Sequence, residues 1–130
     1  MRVDERMAVV GTGHVYAAGD AADGDINQGG LAGQQADTAA TEIVRSCAGQ
    51  PPPAAYKPVL RGRLTAPDGE ELYLRRALDG SDPGRVASYP LWQPASIVCA
   101  WRLARWMAHH RSELGEFTLD HVARPRSVSA

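Results

Sequence analysis

The chain has 130 residues and a formal net charge of −1, from 14 Lys+Arg against 15 Asp+Glu. That length allows one domain or part of one, and the balanced charge gives no support to a polyanion binder, so no nucleic-acid partner is expected. Hydrophobic residues make up 44% and charged residues 22%, a composition of folded globular proteins rather than disordered ones.

Charge and proline divide the chain. Residues 1–56 hold three Arg against seven acids, whereas residues 57–130 hold eleven basic and eight acidic groups. Pro51-Pro52-Pro53 falls at the boundary, where it stops a helix and stiffens a linker. The reading is therefore two segments, 1–50 and 51–116, followed by a flexible tail over 117–130. Met1-Arg2-Val3-Asp4-Glu5-Arg6 carries charges of both signs with no long apolar stretch behind it, unlike a signal peptide. No uncharged run reaches the roughly 20 residues of a membrane span. A cytoplasmic location is expected.

In the first segment, Val15-Tyr16-Ala17-Ala18 is short, wholly apolar and closed by Gly19-Asp20. Such a run fits a parallel-sheet strand covered on both faces. Residues 20–30 are rich in Gly, Asp and Asn and read as a loop. A helix is predicted from about Leu31 to Cys47, with Ala32, Ala36, Ala39 and Ile43 forming one apolar face. Small side chains there let the helix approach a sheet or a ligand closely. Cys47 and Cys99 have no CxxC or metal-ligand spacing and sit in apolar, helix-like surroundings, so they read as reduced core thiols.

The second segment starts with two runs, residues 57–65 and 71–76, whose period-two patterns flank Pro67-Asp68-Gly69 and make a hairpin signal. Residues 78–90 contain Gly80, Pro83, Gly84 and Pro90 and read as loop. A final helix is predicted from about Ala95 to His110. Its Trp101, Trp106, Arg102, Arg105, His109 and His110 suit either an amphipathic helix packed on its own domain or an interfacial helix touching the inner face of a membrane. Adjacent His109 and His110 diverge on a helix, which argues against a metal site.

Two features carry chemistry. Thr12-Gly13-His14-Val15-Tyr16-Ala17-Ala18-Gly19-Asp20 reads either as a strand ending in an ordinary turn or as one delivering a carboxylate to the ligand edge of an α/β sheet. In the second case Gly19 permits close approach, and Asp20 accepts from ribose or ribityl hydroxyls. Downstream, Asn27-Gln28-Gly29-Gly30-Leu31 opens the Ala-rich helix. A Gly-Gly helix start exposes backbone N–H groups at the positive end of the dipole, suited to phosphate or to negative charge developing on a flavin. It also reads simply as a flexible loop before a helix.

Taken in order, these motifs resemble the C-terminal part of FAD-dependent pyridine nucleotide-disulfide oxidoreductases, in particular the type II NADH dehydrogenase and sulfide:quinone reductase branch. Val3-Asp4-Glu5 with residues 12–20 looks like that family's second FAD motif, and residues 28–37 look like its flavin-side helix. Lys57-Pro58-Val59-Leu60-Arg61-Gly62 and Tyr89-Pro90-Leu91-Trp92 look like landmarks of its small C-terminal domain. The resemblance implies an α/β fold: the last strand and helix of a Rossmann-like FAD/NAD(P)-binding domain, then a small α+β region with a hairpin and a C-terminal helix. It also implies that Gly19 and Asp20 meet the FAD ribityl chain, that Gly29, Gly30 and Leu31 present N–H groups to the ring edge, and that Gln28 lies beside it. NAD(P)H would be the reductant of the complete enzyme.

The sequence departs from that pattern in lacking GxGxxG after a strand. Gln93-Pro94-Ala95-Ser96 also lacks the basic residue expected there. The expectation is thus a C-terminal piece with a partial FAD site and no activity alone, partnered by a missing N-terminal half or subunit. The alternative is a non-catalytic module that docks on such a subunit or on a membrane.

Overall fold

In the computed structural model, the described residues are 1–24 and 26–93 together with Arg102, Arg105, Trp106, His109 and His110. The chain opens with a small antiparallel meander. Isolated bridges join Val3 to Val9 and Ala8 to Tyr16, and the Ala17 N–H donates to the Met7 carbonyl at 3.0 Å. A single 3-10 turn, Gly19–Ala21, leads to helix α1, Gly29–Cys47. Three strands follow: β1 (Val59–Thr65), β2 (Glu71–Ala77) and β3 (Arg85–Ala87). They form one antiparallel sheet in the order β1-β2-β3. Helix and antiparallel sheet together make a small mixed α/β fold.

The predicted parallel strand at residues 15–18 is corrected by this arrangement. Val15 is 44% exposed while Ala17 is buried, and Tyr16 bridges Ala8, so the run is one arm of the meander, buried only toward its end, and is not covered on both faces. All strand pairing among the described residues is antiparallel.

The helix begins two residues earlier than predicted. Gln28 caps it, its side-chain Oε1 accepting from the Leu31 N–H at 3.2 Å. The packed stripe also differs from the alanine face read from the sequence. Leu31 and Ala39 are buried, whereas Ala36 is exposed and Ile43 is 41% exposed. Gln35 lies between Leu31 and Ala39 at the i+4 step and faces the Gly19 turn, accepting its N–H at 2.7 Å. The stripe is set by a hydrogen-bonding glutamine, not by the most apolar residues. Cys47, expected in the core, is a free and exposed thiol at the last turn of α1; Cys99 lies outside the described residues.

The hairpin forms as read. β1 and β2 pair from Val59–Ala77 through Thr65–Glu71, and the turn closes with the Ala66 N–H on the Glu70 carbonyl at 2.8 Å. Gly69 takes φ +86° there, a conformation that a side chain opposes. On the face opposite its leucines the sheet buries Tyr73 and Ala77, while Arg63 and Arg85 on that same face are exposed. Trp92 is also buried, whereas Leu64 is 56% exposed and Val86 64%. Trp92 meets Tyr73 edge-on, with centroids 5.7 Å apart. The predicted loop at 78–90 contains β3, whose three residues extend the sheet.

Glutamine side chains tie α1 to the open edge of β1. Gln34 Oε1 accepts from the Val59 N–H at 3.1 Å, and its Nε2 donates to the Val59 carbonyl at 2.9 Å. Gln28 Nε2 donates to the Arg61 carbonyl at 2.6 Å. An amide side chain here takes the place of a neighbouring strand and satisfies edge groups that would otherwise be available for non-native pairing. The linker between them runs back over the meander, where Arg6 Nε donates to the Pro53 carbonyl and the Tyr56 N–H to the Glu5 carbonyl.

The predicted helix over 95–110 and the tail over 117–130 fall mostly outside the described residues. Arg102, Arg105, Trp106 and His109 are helical. The Arg102 N–H donates to Asp37 Oδ1 at 3.2 Å, and its guanidinium donates to Thr41. At those positions the segment contacts α1.

Candidate functional site

The turn carrying Asp20 sits against the first half of α1. Gly19 adopts φ +61°, and a Cβ added to it would lie 3.1 Å from the Ala32 Cβ. Two separate constraints therefore require glycine: a left-handed backbone and a close approach to a helix. The 2.7 Å bond from the Gly19 N–H to Gln35 fixes the turn on the same helical turn. Asp20, next in sequence, is exposed, and its carboxylate makes no hydrogen bond or ion pair to another described residue.

At the start of α1, Gly29 is exposed and a Cβ added there would meet nothing within 4 Å. Gly30 is buried. The Gly29 and Gly30 N–H groups have no acceptor among the described residues, as the first turn of a helix leaves them. Leu31 differs. Its N–H is held by the Gln28 side chain at 3.2 Å and by the Gln28 carbonyl at 2.9 Å. The Gln28 amide is engaged at both ends, as cap of α1 and as donor to Arg61.

The structure thus brings Gly19 against α1 and leaves an open carboxylate at Asp20 and open donors at Gly29 and Gly30. Gln28 and Leu31 are occupied with holding the helix start and the sheet edge. A cleft of about 520 Å³ lies between the meander and α1, lined by Val3, Met7, Ile26, Leu31, Gln35 and Tyr56 among others; neither Asp20 nor the glycine pair lines it.

Tyr56 is a feature that the sequence reading passed over. Its hydroxyl is buried without a hydrogen-bond partner among the described residues, and burial pushes the phenol above its ordinary pKa. A tyrosine three residues before a strand gives no signal of this in sequence. Gln34 and Gln35 were likewise read only as part of the helix, because a polar residue on a helix gives no sign of whether it faces solvent or a backbone edge.

The residues present fit a flavin nucleotide in part. Asp20 has a free acceptor for a hydroxyl, and Gly29 has both a free donor and space above it for a ring edge. No helix among the described residues is long and apolar enough to cross a membrane. In comparisons with known proteins, no protein-family model, curated protein or solved structure matches the chain.

Proposed function

We propose that this chain is the FAD-binding C-terminal portion of an NAD(P)H-dependent flavoprotein oxidoreductase, with the adenine and diphosphate part of the site supplied by a separate or preceding segment. The observation that carries the reading is the seat of the Gly19–Ala21 turn on α1. It sets the Ala-Gly-Asp motif, through Gly19, against Ala32 and Gln35 of the helix that the Gly-Gly pair opens.

In this reading Asp20 accepts from the ribityl hydroxyls, and Gly29 and Gly30 direct N–H groups and the helix dipole at the ring edge. Gln28 and Leu31 support that start from behind. A bound flavin would supply hydride acceptance from the nicotinamide, and the chain's own residues supply orientation and electrostatics. Because the chain offers only part of the site, FAD binds weakly to it alone, and turnover requires the complementary half.

The test is a flavin fluorescence titration of the wild-type chain and of Asp20→Ala. Weak saturable binding that falls roughly ten- to a hundredfold with Asp20→Ala matches the loss of a charge-assisted hydrogen bond of about 1.5–3 kcal/mol. Binding that is indifferent to the substitution refutes the assignment. The second reading, a non-catalytic module docking on a partner subunit or membrane, draws on the exposed Val10, Val15, Ile43 and Val44. Binding to anionic liposomes that vanishes with added salt would favour its membrane form, whereas co-purification with a partner that supplies GxGxxG would favour a split enzyme.

A further inference from the structure

The sheet register places three arginines directly opposite one another. Arg61 pairs with Arg75, and Arg75 pairs with Arg85. With neighbouring strands about 5 Å apart, the row spans roughly 10 Å across one face. Like charges directly opposite on a sheet repel, so such a row needs compensation.

The protein supplies it only in part. Arg75 Nη1 pairs with Asp82 Oδ2 at 2.9 Å. Glu71 shares this face, but it is committed to Arg63 at 3.5 Å and to the Tyr73 hydroxyl at 3.0 Å. Arg61 lies over the Trp92 ring, 5.9 Å from its centroid, and its Nε is buried without a hydrogen-bond partner among the described residues. Arg85 is exposed and forms no ion pair with a described carboxylate. Among the described residues, four arginines against two carboxylates leave the face with a surplus of two positive charges.

We infer that the Arg61–Arg75–Arg85 row is a binding site for a compact, multiply charged oxyanion of the phosphate-monoester or diphosphate class. Planar guanidinium forks match phosphate oxygens two at a time. The positive surplus on the face favours an anion of at least two charges, and the row is too short for a nucleic-acid backbone track. Asp82 holds Arg75 in line from the β2–β3 loop, its other oxygen accepting the Gly84 N–H at 2.7 Å. The site does not depend on the flavin reading.

Isothermal titration with inorganic phosphate, and separately with pyrophosphate, at matched ionic strength in chloride provides the test. Saturable binding of one or both probes is expected, with pyrophosphate tighter if the ligand is a diphosphate. Arg85→Gln should weaken binding at least tenfold, and Arg61→Lys, which keeps the charge but loses the fork, should weaken it less. Arg76→Gln serves as the control, because Arg76 lies on the opposite face of β2, across from Leu60. Absence of saturable heat with both probes overturns the inference, as does equal weakening by Arg85→Gln and Arg76→Gln. Far-ultraviolet circular dichroism of each variant confirms an intact sheet. Should Arg85→Gln disrupt folding, Arg61→Lys and Arg76→Gln provide the same contrast.

Discussion

Replacing Gln34 with Met removes the side-chain amide that joins α1 to β1 while keeping chain length and helix propensity. Three hydrogen bonds are lost: two with the Val59 backbone, at 2.9 and 3.1 Å, and one to the Gly30 carbonyl at 2.9 Å. The Gly30 carbonyl lies within the helix, so the Val59 pair carries most of the effect. At a net value of about 0.5–1.5 kcal/mol per bond, the two contribute about 1–3 kcal/mol. Gln34 is only half-buried, and water will replace part of what is lost, so the lower half of that range is expected. For a domain of this size the melting temperature falls by roughly 4–8 °C per kcal/mol. Urea denaturation followed by circular dichroism reads the difference as a lower midpoint at unchanged slope. Gln34→Glu adds a diagnostic of sign. It keeps the acceptor for the Val59 N–H but sets a negative oxygen against two carbonyls, so the folded state favours the protonated form. A group whose folded pKa is raised contributes its stability below its unfolded value, about 4.3 for a glutamate, and loses it as pH rises. The deficit of Gln34→Glu should therefore be largest at neutral pH and narrow on acidification. A Gln34→Met midpoint equal to wild type would show that the amide does not hold the two elements together.

Gly19→Ala forces a Cβ to 3.1 Å from the Ala32 Cβ at φ +61°, where a left-handed backbone alone costs about 1–2 kcal/mol; chemical denaturation should show at least that loss, part of it recovered by Ala32→Gly. The Asp82 carboxyl is held below its ordinary pKa, first by the Gly84 N–H and then by the Ala77 N–H and Arg75. Such a group stabilises the fold above its unfolded value, about 3.9, and ceases to do so as pH falls through the folded one. Amide protection factors in β3, exchange rates corrected for the intrinsic pH dependence, should fall over that acid range in wild type, and Asp82→Asn should abolish the pH step. Cys47 is exposed at the end of α1 and should react with a thiol reagent in the native protein at a rate close to that of a small free thiol. Slow labelling released only by denaturant would restore the core assignment.

How far the sequence reveals the fold depends on how local the determinants are. The hairpin was legible because its strands alternate and its turn contains Pro67-Asp68-Gly69, so pattern and turn chemistry agree within a dozen residues. The arm at 15–18 was misread because four apolar residues cannot distinguish a covered parallel strand from a meander arm. Pairing with Ala8 decides it. β3 was hidden by its length, three residues among Gly and Pro. Helix α1 started early because a glutamine cap overrode the poor propensity of two glycines. At the candidate site, the Asp20 turn and the glycine pair were visible as residue types in order. The engagement of the Gln28 amide was not, since its donor goes to Arg61, 33 residues away, and it is this fixed amide whose oxygen occupies the Leu31 N–H.

The most direct test of the flavin assignment is an amide chemical-shift titration of the full chain with millimolar FAD. Shifts centred on Asp20, Gly29 and Gly30, weaker at Leu31 and abolished by Asp20→Ala, are the expected result. A silent spectrum at those amides, or shifts confined to the sheet, would contradict the account.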